Sequence, residues 1–592
     1  MTIRIDGKVA ELPADLSFEY FEENRFFTDA DGYSLEIELP LAGSAANREI
    51  FGILELTDLD ADITWPMTLE AGGIHRTGMA VLTGIGDGTV KVQFLSGRSQ
   101  SNFEARMDEK TLRDIKADFY HENLPSPAEA LRSYDRQRTM NNYYEWNIEG
   151  VALPWRNQPT GQLQNDIIST SPLEWHWAIE ETGLSWMPYL ISVARHAAIV
   201  AGYGYDFSDW ESSDLRNLIV CNVLPVSLRL QRHYSIAPAL PAWSILEFFR
   251  NIEPVLGGQF DIDHQTRRIV FHSTASLMDE LNPVQLEDVE DEYEVTSTFG
   301  RDDTEGKYLR SKVYKYASPS MEGWEYYDCP WVPAALQEMH LRYFGTLKSA
   351  LSEMAGNATE ANMYKAYHSA EHNAWFCFYQ HEIRDDGYAP ITIRSFNLFG
   401  PQISDSSESH EELKVLPIMI VNNVPELNTG DCYDMISKVI DGTSIPDKYE
   451  GDGGSGSYVY ETIAVGEQKD EGAVYSHLFL AYWPGWDSHI TPAPLMPSVA
   501  GFRYAVSDGV PIISEEPWSM RLNDQGGGPY GFLPKIDESV KYTFHFHTDH
   551  LPDVRSIFYI NGKRYLCGKL SVTITAAGVS RRVKGEFYPI VE

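Results

Sequence analysis

Between Ile557 and Ile590 the chain reads IFYINGKRYLCGKLSVTITAAGVSRRVKGEFYPI, and this string leaves little freedom for its local fold. Asn561-Gly562 stands between two apolar runs, Ile557-Phe558-Tyr559-Ile560 and Tyr565-Leu566-Cys567. Both central residues of the tightest hairpin turn need positive φ, which Asn and Gly accept at low cost. Lys569 to Thr575 then alternates, with Leu570, Val572 and Ile574 on one face and Ser571, Thr573 and Thr575 on the other. Ala577-Gly578 turns the chain once more before Val583 and Glu586-Phe587-Tyr588. The sequence predicts an antiparallel meander that carries no chemical motif.

The opposite end is also β-rich. Met1 to Lys8 reads as a strand and hairpin rather than as a basic stretch before an apolar leader segment. Gly84-Ile85-Gly86-Asp87-Gly88 joins Met79-Ala80-Val81-Leu82 to Val90-Lys91-Val92-Gln93-Phe94, which predicts an antiparallel pair. Between the ends the texture changes. Trp186 to Arg195 reads as a helix with Pro188 in its first turn, an apolar face of Leu190, Ile191, Ala194 and Ala197, and a stop at Gly202-Tyr203-Gly204. Ser244 with Glu247 three residues on is a capping box, and Ile245, Phe248, Phe249, Ile252 and Leu256 follow a core-facing helical pattern. Gly257-Gly258 ends that helix, and Gln259 to Ile262 should pair across Gln265-Thr266 with Arg267 to Phe271. Residues 332–370 read as helical, through ALQEMHLRYF and LKSALSEMAG. Ser404 to Ser409 and Glu450 to Gly456 have loop compositions, and the Gly-rich one lacks the Lys-Ser/Thr of a phosphate cradle.

A chain of 592 residues exceeds one core and implies roughly three to five domains. Its 47 basic against 86 acidic residues give a net charge of -39, which disfavours non-specific grip on nucleic acid. Such a surface suits either solubility or the wall of a conduit along which DNA slides. Cys221, Cys329, Cys377, Cys432 and Cys567 are scattered, without a CxxC pair, so neither a zinc ribbon nor a disulfide framework is indicated. No apolar run approaches the length of about 18 residues that a spanning helix needs.

Three patterns resemble chemistry. His545-Phe546-His547-Thr548-Asp549-His550 matches the HxHxDH string with which metallo-β-lactamase-like hydrolases hold zinc. That fold needs further histidines downstream, yet none follows His550. Tyr542, Phe544 and Phe546 also alternate with His545 and His547, so a strand with two outward histidines is expected. Asp58, Asp60 and Asp62 imitate the start of a calcium loop, but Ile63 and Leu69 stand where Gly and Glu belong. Trp175-His176-Trp177 and Tyr482-Trp483-Pro484-Gly485-Trp486 are aromatic clusters that either stack on sugars or fill cores. GxSxG and HExxH do not occur, and no carboxylate pair stands out.

The terminal string resembles the C-terminus of tail proteins carried by phages and prophages of Bacteroides-like bacteria. Tyr33 to Leu41 leading into Asn47-Arg48-Glu49-Ile50-Phe51-Gly52 is similar to the opening strand and N-R-x-I-F-G element of that tail-tip family. Val90 to Phe103, Asp214 to Leu218 and Leu240 to Ile245 resemble further segments in the same order. The resemblance implies a tail hub: a structural virion protein at the distal end of the tail tube. It would form a homotrimer adapting a sixfold tube to a threefold tip, with DNA passing its channel. Implied partners are the hexameric tail tube or distal tail protein and tip or fibre proteins. Synthesis would be in the bacterial host cytoplasm. The expected fold class is α+β, β-rich and multidomain, with β-barrel-like hub domains and an intervening helix-plus-hairpin module. The expected division is an N-terminal β-rich hub domain at 1–110, a mixed segment at 111–230 and the helix-plus-hairpin module at 231–300. A helical then β-rich region with flexible loops, a candidate insertion, follows at 301–540, and 541–592 is a meander completing a hub domain. No catalytic, cofactor or metal residue is expected, so the chain should not be an enzyme. The alternative is a receptor- or glycan-binding tail protein; a zinc hydrolase built on His545 to His550 is a lesser one.

Overall fold

The computed structural model describes chiefly residues 1–97 (without 29–30 and 53–62), 110–116, 187–221, 240–297 with short gaps, 341–356, 365–380, 410–417, 478–483, 500–522 and 536–590, with isolated strands between them. Asp58, Asp60, Asp62 and both loop-like segments, 404–409 and 450–456, lie outside the described residues.

Strands at both ends of the chain build one sheet. The N-terminal set is β1 (Thr2–Ile5), β2 (Lys8–Val9), β3 (Ser17–Glu23), β4 (Gly32–Pro40), β5 (Thr64–Ala71), β6 (Ile74–Gly86) and β7 (Thr89–Ser96), with helix α1 (Ala45–Phe51) after β4. The middle of the chain supplies α2 (Leu190–Val200), α3 (Ile245–Leu256), β8 (Gly258–Asp263), β9 (Arg268–Ser273), β10 (Val284–Gln285) and β11 (Glu294–Ser297). The last four strands are β12 (Val540–His547), β13 (Ile557–Ile560), β14 (Lys563–Thr575) and β15 (Gly578–Pro589). Thirteen of these strands form a sheet ordered β2-β1-β5-β6-β7-β4-β3-β14-β15-β12-β11, with β13 pairing β14 and β10.

The turns follow from residue type. Asn561 (φ 49°) and Gly562 (φ 81°) connect β13 to β14, Asp87 and Gly88 connect β6 to β7, and Asp6 and Gly7 connect β1 to β2, all at positive φ. The join between the two ends is β3 against β14, running antiparallel from Ser17 opposite Thr575 to Glu23 opposite Lys569. Beyond Lys569 the same edge of β14 passes to β13, from Leu566 opposite Ile557 to Lys563 opposite Ile560. Asn24 fills the gap where the partner changes. Its N–H donates to the Gly568 carbonyl at 2.9 Å, and its Nδ2 donates to Cys567 and Val554 carbonyls at 2.8 and 3.2 Å.

The sheet is an open path among the described residues, so the barrel-like closure expected from the resemblance is not formed there. One edge, β2, is two exposed residues long, and the other, β11, exposes all four of its side chains, including Glu294. Short, charged edges of this kind oppose further pairing.

Two apolar cores form. The first, beneath the large sheet, mixes Ile3, Phe18, Tyr20, Ile37 and Phe94 from the N-terminal strands with Phe546, Val572, Ile574 and Phe587 from the C-terminal ones. The second gathers α2, α3 and the β8–β9 hairpin with Trp210, Leu351, Tyr482, Trp483 and Trp518. Burying each large apolar side chain is worth about 1.5–3 kcal/mol. In this second region Ser244 Oγ accepts from Glu247 N–H at 3.1 Å, and Gly257 closes α3 in the left-handed conformation (φ 59°). Strand Gly204–Asp206 adds to β9 in parallel.

Two local expectations change. Pro188 does not open a helix: it lies in a short strand with Met187 paired to Val151–Ala152, and α2 begins at Leu190 after an extended Tyr189. In ALQEMHLRYF, Leu341–Phe344 is a strand parallel to Ala366–Ser369, while Leu347–Ala355 is the helix. The first half of that segment lies outside the described residues.

Candidate functional site

The HxHxDH string sits on β12 and the turn after it. Phe544 and Phe546 are buried, and the two histidines between and beyond them point the other way, half-buried. The backbone at Asp288 and Glu290 bridges to this strand, which brings their carboxylates toward His547, at 3.8 Å to Nδ1 and 3.9 Å to Nε2. Glu290 is already held by Arg582, which donates from Nε at 2.7 Å and Nη2 at 2.9 Å and keeps the carboxyl below its usual range. Asp549 pairs with Arg581 at 2.9 Å. His550 lies against Gly73 at the β5–β6 turn, where a Cβ would come within 2.7 Å of its Nδ1. The four polar residues therefore face different partners. Among the described residues no group of three or more His, Cys, Asp or Glu side chains is arranged to hold a metal ion.

The aromatic clusters divide. Tyr482 and Trp483 are buried in the second core, so they fill space rather than stack on a ligand; Pro484 to Trp486 lie outside the described residues. Trp175 to Trp177 belong to a strand paired with Ile167–Ser171. A different trio is displayed instead. Tyr343, His368 and Trp375 share one cross-strand row, with ring centroids 4.5–5.7 Å apart, and Tyr343 is 65% exposed.

The most concentrated polar chemistry lies where the two cores meet, at residues that no sequence motif marks. Arg25, just past β3, is buried. It donates to Glu253 Oε1 at 2.6 Å and to the Phe260 carbonyl at 2.9 Å, with Asp261 Oδ1 at 3.4 Å and Asp31 at 3.8 Å. Arg555, from the C-terminal region, takes the other Asp261 oxygen at 2.6 Å and chelates Asp553 at 3.0 and 3.1 Å. His272 Nε2 stands 3.5 Å from Asp261 Oδ2. The chain of charges continues into the sheet, where Arg76 donates to buried Glu22 at 2.7 Å and the Tyr20 hydroxyl donates to the same oxygen at 3.1 Å.

The electrostatics follow from this geometry. Burial alone would raise the Asp261 carboxyl, but Arg555 and Arg25 outweigh it and hold it below the usual carboxylate range. Asp553 is held down in the same way by Arg555. Burial works against the charge of Arg25, yet Glu253, Asp31 and Asp261 keep it protonated. At Glu22 the balance reverses: burial exceeds the pull of Arg76, and its carboxyl is raised. Every acid named in this cluster is engaged by a guanidinium, so the arrangement ties chain to chain. A hint was present in the sequence only as an arginine set beside Phe26-Phe27, too common a pattern to single out.

No family model matches the chain, and no curated protein does. Eleven solved chains match it. One is the 43 kDa tail protein of prophage MuSo2 from Shewanella oneidensis, aligned over 99% of this chain and 96% of its own, with 9% identity and a TM-score of 0.28. At that score the likeness carries no argument about fold or function. No comparison supports the Bacteroides-type assignment. No described helix is long and apolar enough to cross a membrane.

Proposed function

We propose that the chain is a structural protein of a phage tail, acting as a hub at the distal end of the tail tube and assembling as a homotrimer with tube and tip partners in the virion. The observation that carries this reading is the joining of the two ends of the chain, β3 to β14, in one thirteen-stranded sheet. Such a frame holds position and symmetry. Of the segments that carry the sequence resemblance, residues 33–41 and 47–52, the start of 90–103 and the terminal meander fall in or beside this sheet, while 214–218 and 240–245 lie in the second core region. The work is geometric and needs no covalent step. A net charge of -39 suits a surface past which DNA slides without sticking.

The native mass of the purified 67.0 kDa chain, with negative-stain class averages of the same sample, tests this. A threefold ring with a central hole is expected. A monomer that stays monomeric when mixed with tail-tube protein would overturn it. The second reading, a glycan-binding tail protein, is favoured by the displayed Tyr343, His368 and Trp375. Under it, the same purified chain retains capsule oligosaccharide and loses it in Tyr343→Ala.

A further inference from the structure

The two large apolar cores share no residue among those described. Ion pairs cross between them: Arg25 and Arg555 from the sheet side meet Glu253 and Asp261 from the helix-and-hairpin side. A small apolar cluster of Phe26, Met278, Ile536, Ile557 and Leu566 flanks these ions. Boundaries between separately packed bodies of one chain are more polar than a single continuous core.

We propose that this junction is an ionic latch, in which Arg25 and Arg555 grip the two oxygens of Asp261 and couple the sheet body to the α3–β8–β9 body so that they unfold as one unit. The latch draws on three distant parts of the chain. Asn24, beside Arg25, binds the Val554 carbonyl beside Arg555, so the two arginines are set side by side by the same crossing that joins β3 to β14. Asp261 sits on β8, across which Phe260 N–H donates to Glu253 Oε1 at 2.7 Å, so both acids of the module are presented by one tight helix–hairpin corner. Removing one guanidinium leaves the half-buried Asp261 carboxylate under-compensated, and that penalty falls on the folded junction alone.

The test uses the full chain, with Arg555→Gln and the isosteric Asp261→Asn. Hydrogen exchange is followed by mass spectrometry across a urea series, separately for β6–β7 and for α3–β9. In the unmodified protein the two bodies should lose protection at the same urea concentration, because the latch makes them one unit. In either variant they should part, with exchange in the two bodies differing at least about tenfold at intermediate urea. Arg581→Gln, which breaks only the exposed pair with Asp549, should leave them together. Coincident loss of protection in both latch variants, or separate loss already in the unmodified protein, would overturn the proposal. Should Arg555→Gln fail to fold, Asp261→Asn decides, since it keeps the shape of the side chain and removes only its charge.

Discussion

Asn47 shows how much a single side chain can hold. It is fully buried, accepts from Glu11 N–H at 2.9 Å, and donates to the Glu11 and Pro40 carbonyls at 2.9 and 2.8 Å. It thereby ties the segment before β3 and the end of β4 to α1, whose first turn is capped by Ser44 accepting from the Asn47 N–H. Asn47→Ala would leave three partly buried backbone groups without this partner, and because Glu11 is exposed, water can take up part of the loss. The expected result is a stability loss of about 1–3 kcal/mol, read as a lower urea midpoint for β4 and β7 by hydrogen exchange. The asparagine was visible in the sequence, as part of N-R-x-I-F-G, but its role was not. Its three partners come from chain positions 7 and 36 residues away, and local pattern carries no information about them.

At the scale of elements, the hairpins were the most legible feature, because positive φ selects a few residue types regardless of what surrounds the turn. Asn561-Gly562, Asp87-Gly88 and the left-handed Gly257 all occupy the conformations their types imply. Gly562→Ala, placing a Cβ at φ 81°, should cost roughly 1–2 kcal/mol and speed exchange in β13 while leaving β6 and β7 unchanged. Unchanged exchange in β13 would mean that packing of Ile557 and Leu566, not the turn, fixes the hairpin. Helix and strand were less legible where a short apolar run fits both periods. Leu341–Phe344 became a strand because Ala366–Ser369 offers it a ladder, and Pro188 was taken by Val151 rather than by the helix that follows. Of the candidate chemical motifs, the alternation of Phe544, His545, Phe546 and His547 was readable as a strand; the ion cluster at Asp261 was not readable at all.

For the whole molecule, the charge chain sets a dependence on pH. Asp261 and Asp553 have folded-state carboxyls below their unfolded values, so each stabilises the fold above the unfolded value. That contribution fades as pH falls from about 5 through the ordinary carboxylate range and below it. Glu22 has the opposite sign: its raised carboxyl opposes folding while ionised, and protonation relieves it. Glu23, Asp206, Asp209 and Glu290 are held low as well, so acidification removes stabilisation at these six carboxyls and relieves it at Glu22. The urea midpoint should therefore fall between about pH 6 and pH 3, and fall less steeply in Asp261→Asn. An equal slope in that variant would show that other carboxylates govern acid unfolding.

The sequence by itself determined the turns, the alternating strands of both ends and the capped helix α3, since each depends on neighbours within a few residues. Only the tertiary structure decided that β3 pairs with β14, that among the described residues the sheet ends at β2 and β11, and that Arg25 and Arg555 converge on Asp261. These are long-range choices. Burial of a shared core selects them, and the ions follow because a guanidinium carried into that junction is stable only where carboxylates meet it.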